Sequence, residues 1–129
     1  MISPGFKYSD ITEKIIGCAM KVHQTMRGGY QELIYHNCLS IELKKILLSY
    51  RAETELPIFY DGVEVGRRRV DFLVENKIVV EIKAVTELTD VHIAQTLNYL
   101  EALNLEVGLL INFGAKSLQF RRLVNNKVR

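Results

Sequence analysis

The chain has 129 residues and a formal net charge of +2, with 25% charged and 48% hydrophobic residues. These values fit one soluble domain, residues 1–129, with a core of ordinary size. A charge so close to neutral does not by itself indicate nucleic-acid binding. Two cysteines are too few for a disulfide framework or a structural zinc site. No apolar run approaches the roughly 20 residues that cross a bilayer, and the N-terminus lacks a signal-peptide pattern, so we expect a cytoplasmic protein without membrane partners.

Two helices begin the predicted order. The first runs from about Ile11 to Gln24, and Asp10 is its predicted N-cap. The second runs from about Tyr30 to Leu48 and begins just after Gly28-Gly29. Its predicted apolar face consists of Ile34, Cys38, Ile41 and Leu48.

Three strands follow. Glu55–Tyr60 reads as a strand, and its Pro57 predicts a place at the sheet edge because proline cannot donate a ladder hydrogen bond. Asp61-Gly62 is a strong hairpin signal, and the return strand extends from Val63 to Val74. After a turn at residues 75–77, the β-branched run Ile78–Lys83 predicts a central strand.

A third helix and two more strands complete the chain. Thr89 or Asp90 is expected to cap a helix that ends near Leu103. The apolar run Val107–Ile111 is typical of a strand buried on both faces, and residues 118–124 form a last strand. The order αα-βββ-α-ββ predicts an α/β domain in which the third helix is a crossover between parallel strands.

Glu81 and Lys83 lie two residues apart on the predicted central strand and therefore share one face. If residues 75–77 form a three-residue turn, Val74 pairs with Ile78 and Asp71 lies opposite Glu81. A two-residue turn would instead place the two acids on opposite faces. The interpretation as a site therefore includes a prediction about strand register. The alternative is a salt bridge between Glu81 and Lys83 on a solvated strand face.

Two carboxylates opposite each other repel unless a cation or a proton lies between them. Carboxylate and backbone oxygens suit Mg²⁺ or Mn²⁺, so Asp71 and Glu81 are predicted metal ligands. Such an ion polarises a phosphate and helps to generate hydroxide for in-line attack. The positive charge of Lys83 would stabilise the phosphate as it becomes more negative, or orient the attacking water.

These residues resemble the D…(D/E)xK core of the PD-(D/E)XK nuclease-like superfamily. The stretch Gly29-Tyr30-Gln31-Glu32-Leu33-Ile34-Tyr35 also fits G-x-x-E-x-x-Y, the signature of the GxxExxY proteins. The resemblance extends from Ile11 to Val124, although Val70 stands where the superfamily has proline. It implies a restriction-endonuclease-like core, a mixed sheet of about five strands flanked by helices.

The resemblance also implies further site residues. In similar nucleases an acid on an early helix often joins the metal site, and the resemblance implies this role for Glu32. Glu32 is therefore a predicted metal ligand and catalytic residue. Gln95 and Tyr99 are expected to line the substrate groove, and the alternative is an exposed polar helix face. Strand parity places Arg69 on the side of Asp71, where it could bind phosphate, and places Arg68 away from the site. Exposed strand charge is the alternative interpretation for these arginines.

The sequence therefore predicts a Mg²⁺- or Mn²⁺-dependent endo- or exonuclease, with DNA favoured over RNA by the habit of the superfamily. The alternative is an inactive module that retains the nuclease fold and binds nucleic acid or protein. The low net charge and small size favour that alternative. A homodimer could provide a wider binding footprint.

Overall fold

The structure, a computed structural model, describes residues 7–129. Its eight elements occur in the predicted order of two helices, three strands, a helix and two strands. They are α1 (Ser9–Met26), α2 (Glu32–Lys45), β1 (Tyr50–Tyr60), β2 (Val63–Val74), β3 (Ile78–Lys83), α3 (Asp90–Leu103), β4 (Val107–Asn112) and β5 (Gln119–Val124).

The five strands form one mixed sheet in the order β1-β2-β3-β4-β5. Neighbouring strands are antiparallel except for β3 and β4, which are parallel and are joined through α3. This arrangement confirms the predicted α/β fold and the crossover role of the third helix. Pro57 lies on the edge strand and Ile78–Lys83 in the middle of the sheet, both as predicted.

Helices cover both faces of the sheet. The helices α1 and α2 pack on a large core, and α3 packs on a smaller one. The side chains of β3 alternate between these cores, with Val80 and Ile82 toward α1 and α2 and Val79 toward α3. Every residue of β4 is buried, as expected for a strand covered on both faces.

Two details of the helices differ from the predictions. The N-cap of α1 is Tyr8, in a left-handed conformation, and Asp10 lies inside the first turn. The buried side of α2 consists of Tyr35, His36, Leu39 and Leu43. The predicted face was wrong, since Ile34 and Ile41 are 39% and 55% exposed. Apolar residues occur on several sides of α2, so its sequence periodicity did not determine which side packs on the sheet.

Other features agree with the sequence. Asp61 and Gly62 both have positive φ angles, as a two-residue hairpin turn requires. Thr89 is the N-cap of α3, and Cys18 and Cys38 are free thiols. From residue 7 to residue 129, no helix is long and apolar enough to span a bilayer.

Tyr35 connects the end of α1 to the start of α2. Its hydroxyl donates a hydrogen bond to the carbonyl oxygen of Arg27 (2.6 Å) and accepts one from the backbone N–H of Tyr30 (3.2 Å). Its buried ring stacks on Phe113, with centroids 4.9 Å apart. Tyr35 therefore joins the helix junction to the core, and this role is structural.

We expect Tyr35→Phe to lower the free energy of unfolding by about 1–2 kcal/mol, because two backbone groups lose their partner while the ring still packs. Urea denaturation measures the change. Tyr60→Phe is the matched control, because Tyr60 is 77% exposed and should show no change. Equal stability of the two variants would contradict this role for the hydroxyl.

Candidate active site

The register between β2 and β3 brings the predicted carboxylates together. Val74 pairs with Ile78 and Phe72 with Val80, across the predicted three-residue turn. The ladder ends there, one position before Asp71 and Glu81 would pair. Beyond it, a carboxylate oxygen of Asp71 accepts a hydrogen bond from the backbone N–H of Ile82 at 2.7 Å. The predicted register is confirmed from the turn to Phe72 and Val80, whereas Asp71 and Glu81 are not themselves paired in the ladder. At this point the side chain of Asp71 replaces a backbone carbonyl as the acceptor for Ile82.

Glu81 is an acid inside the protein, since only 5% of the residue is exposed. Burial, with a further contribution from the neighbouring carboxylate of Asp71, raises the pKa of Glu81 to about 8. The positive charges of Arg68 and Lys83 act in the opposite direction. Among residues 7–129, Oε1 of Glu81 has no hydrogen-bond partner. The carboxylate pair is therefore electrostatically unfavourable as it stands and would be stabilised by a cation or a proton.

This raised pKa gives a prediction for metal-free protein. Between the ordinary value of 4.5 and about 8, folded Glu81 retains a proton that the unfolded chain has lost. Its contribution to stability is fully present below pH 4.5 and is lost as the pH rises to about 8. We expect wild type to lose up to about 1.4 kcal/mol per pH unit more than Glu81→Gln across this window. Urea denaturation in EDTA measures both, and parallel stability curves would contradict the prediction.

Arg68 is near Glu81, and the parity argument that placed it away from the site was wrong. Its Nη2 atom lies 3.9 Å from Oε1 of Glu81, and its guanidinium lies over the ring of Tyr99, 4.1 Å from the centroid. Strict alternation fails on β2, since Val70 packs in the core beneath α3 whereas Phe72 packs in the opposite core. Arg68 precedes this change of face and so points toward α3.

The change of face occurs where β1 is irregular. Thr54 pairs with Val70 and Ala52 with Phe72, but Glu53 has no partner in the ladder. Glu53 has a φ of 51°, outside the range of an extended strand. Asp71 lies opposite this irregularity, at the border between the two faces of the sheet.

Asp71 also lines a cavity of about 200 Å³ beside α2. The lining residues are Glu32, Leu33, His36, Glu53, Arg69, Asp71 and Ile82. The predicted neighbours Glu32 and Arg69 therefore share a cavity with Asp71. Glu81 and Lys83 are not part of its lining, so Asp71 is the link between the two groups of site residues.

Two residues of this cavity were not found from the sequence. The buried ring of His36 stacks on Phe72 and its Nε2 atom lies 3.3 Å from the carbonyl oxygen of Asp71. Its Nδ1 atom has no hydrogen-bond partner in the described chain and lies 4.0 Å from Glu53. His36 is four residues after Glu32 on one helix face, a spacing that could have revealed it. Nothing in the sequence around Glu53 indicated its position.

The two predicted groove residues on α3 differ in their exposure to solvent. Tyr99 is half-buried under Arg68, whereas Gln95 is exposed. Lys83 is half-buried at the end of β3, where its carbonyl oxygen accepts a hydrogen bond from the backbone N–H of Phe113 at 2.9 Å. The charge of Lys83 acts on the carboxyl group of Glu81, and Tyr99 lies under Arg68, which is also near Glu81. Both residues therefore belong to the side of the site that contains Glu81.

The residues fit a divalent cation at the carboxylate pair. In the described part of the chain, Oε1 of Glu81 is buried without a hydrogen-bond partner, and the neighbouring Asp71 is acidic and only half-buried. Across residues 7–129, no three His, Cys, Asp or Glu side chains are grouped so that they could hold an ion. Two neighbouring carboxylates suit a divalent cation, but within residues 7–129 no third ligand is grouped with them.

Comparison with known proteins identifies the class. The PD-(D/E)XK nuclease superfamily matches residues 9–123, and the chain belongs to this superfamily. No curated protein matches the sequence. Among solved structures, the crystal structure of SSO0001 is similar in fold, with a TM-score of 0.58 and 23% sequence identity. The match covers 71% of this chain and 48% of SSO0001, so the chain spans about half the length of that protein.

Proposed function

We propose that the protein is a metal-dependent nuclease that hydrolyses phosphodiester bonds in nucleic acid, with DNA favoured over RNA. The observation that carries the proposal is the buried Oε1 of Glu81, which has no hydrogen-bond partner in the described residues although it lies beside Asp71 and near the positive charge of Lys83. An acid this strongly destabilised inside a protein indicates a functional site, because a purely structural position would favour an apolar side chain.

We further propose distinct roles for these side chains. Asp71 and Glu81 would hold Mg²⁺ or Mn²⁺, and the ion would supply Lewis acidity toward the phosphate and a more acidic bound water. Lys83 would place positive charge beside the phosphate as it becomes pentacoordinate. Glu32 would complete the environment of the ion from the cavity that it shares with Asp71. His36 lines the same cavity as Asp71 and Glu32.

The Gly29–Tyr35 stretch supports a narrower assignment to the GxxExxY proteins within the superfamily. In this stretch Tyr35 holds the junction between α1 and α2, and Glu32 faces the cavity of Asp71. We infer that the signature combines one structural residue with one residue of the site.

The second candidate is a binding module that retains the fold without turnover. It is favoured by the net charge of only +2, and by the absence of a three-ligand metal cluster within residues 7–129. Incubation with labelled single- and double-stranded DNA and RNA, with Mg²⁺, Mn²⁺ or EDTA, separates the two candidates. The nuclease requires cleavage of at least one substrate that EDTA abolishes. Binding without cleavage under all conditions would favour the module.

Metal binding can be tested without a substrate. We expect Mg²⁺ or Mn²⁺ to stabilise the wild type by about 2.7 kcal/mol when the ion is at 100 times its Kd, because it binds only the folded state. Glu81→Gln should lose this response, which thermal denaturation at several ion concentrations would reveal. Glu13→Gln removes an exposed acid of α1 and should respond like wild type. An unchanged response in Glu81→Gln would exclude Glu81 as a ligand.

A further inference from the structure

Arg68 lies in an unusual environment for a surface-strand arginine. Its side chain is 32% exposed, and its guanidinium carbon lies over the ring of Tyr99, 4.1 Å from the centroid. A guanidinium over an aromatic ring is attracted to the ring face and can still use the donors at its edge to bind a ligand.

The hydrogen-bonding capacity of Arg68 is not fully used. Within residues 7–129, its Nε atom is buried and has no hydrogen-bond partner. The nearest approach to Glu81 is 3.9 Å, which is too long for a hydrogen bond. A guanidinium with an unsatisfied nitrogen is costly, and the exposed third of this side chain gives a ligand that supplies oxygen atoms access to the same group.

The two neighbouring arginines form ion pairs with other glutamates. Arg67 pairs with Glu64 at 3.4 Å, and Arg69 pairs with Glu53 in the cavity beside α2. Of the three consecutive arginines, Arg68 is the one directed toward Glu81. With both carboxylates engaged by a divalent cation, the positive charges of Arg68 and Lys83 would lack a counter-charge. A phosphodiester group matches that charge and the planar donors of arginine.

We propose that Arg68, supported by Tyr99, is a phosphate-binding residue of the substrate groove and contacts a phosphodiester of the nucleic acid beside Glu81. This inference rests on the proposed function. It assigns Tyr99 as the platform under Arg68, so the ring of Tyr99 matters more than its hydroxyl.

The test is equilibrium binding of labelled DNA and RNA by fluorescence anisotropy, with Ca²⁺ present and intact substrate verified on gels. We expect Arg68→Ala to weaken binding about tenfold, as for the loss of one charge-assisted contact. In this variant, the slope of log K against log salt concentration, measured from about 50 to 200 mM, should decrease in magnitude by about 0.9 for duplexes or about 0.7 for single strands. Arg68→Lys should bind with intermediate affinity, because lysine keeps the charge but not the planar donors.

Matched variants identify the cause of any change. Tyr99→Leu should weaken binding more than Tyr99→Phe, because only the leucine variant removes the ring. Arg67→Ala removes an equal charge from an exposed position and should change affinity less than twofold. Circular dichroism confirms that each variant is folded. Wild-type affinity and salt slope in Arg68→Ala, or an equal loss in Arg67→Ala, would overturn the proposal.

The outcomes also separate this inference from the proposed function. Cleavage that is normal in Arg68→Ala, with unchanged binding, would remove Arg68 from the site and leave the nuclease intact. Binding that depends on Arg68 without any cleavage would support the inference and contradict the nuclease. A wild type that neither binds nor cleaves any of the substrates would overturn both.

Discussion

If the proposed function holds, replacing Glu81 by alanine is expected to reduce metal-dependent cleavage by about 10³-fold or more, because the proposed reaction would lose one of its two proposed metal ligands. Lys83→Ala should reduce the rate by roughly 10²–10³-fold through the loss of one stabilising charge. The two variants should differ in metal binding, since Lys83→Ala retains both carboxylates. Single-turnover cleavage and metal-dependent melting temperature, measured on the same preparations, test this difference.

A matched control is available for each variant. Glu55→Ala and Lys44→Ala remove the same charges from exposed positions on β1 and α2 and should keep wild-type activity. Metal-dependent cleavage that persists in Glu81→Ala at the wild-type rate would exclude the proposed site. Loss of metal stabilisation in Lys83→Ala would show that Lys83 supports the ion site rather than the reaction.

Gly114→Ala is expected to cost about 3 kcal/mol of stability, at the upper end of the range for overpacking. Gly114 lies against the segment that follows Lys83. A Cβ atom there would lie 2.5 Å from the backbone nitrogen and oxygen of Val85 and 2.6 Å from the carbonyl carbon of Ala84. These atoms belong to the backbone, so a side-chain rotation cannot relieve the contact.

The buried side chain of Asn112 holds this segment in place. Its Oδ1 accepts a hydrogen bond from the backbone N–H of Val85, and its Nδ2 donates one to the carbonyl oxygen of Val85, both at 2.9 Å. The same Oδ1 accepts a hydrogen bond from the N–H of Gly114 at 3.0 Å. Moving Val85 away from an alanine at 114 would disturb these bonds and the backbone next to Lys83. We therefore expect cleavage to fall together with stability.

Gly17→Ala is the control for this substitution. Gly17 is an exposed position in α1, and a Cβ there would meet no atom within 4 Å. Alanine should stabilise the helix by about 0.5–1 kcal/mol. Chemical denaturation of both variants should therefore give changes of opposite sign. A neutral Gly114→Ala would show that the two backbones can separate without cost.

The sequence by itself determined the order of the elements and reduced the register at the site to two alternatives. Asp61-Gly62 and residues 75–77 define the turns, and each turn sets which residues of the adjoining strands face each other. The conformation of a turn depends on a few consecutive residues, so it can be predicted from the sequence. A three-residue turn implied the pairing of Val74 with Ile78 and the approach of Asp71 to Glu81, and the structure decided for it against the two-residue alternative.

Only the tertiary structure decided how side chains are distributed between the two faces. The irregularity at Glu53 changes the face of β2 near Asp71, and this brings Arg68 rather than Arg69 to Glu81. The buried side of α2, and with it the position of His36, depends on how the helix packs on the sheet. These features arise from contacts between residues far apart in the chain, for which strand parity and helix periodicity contain no information.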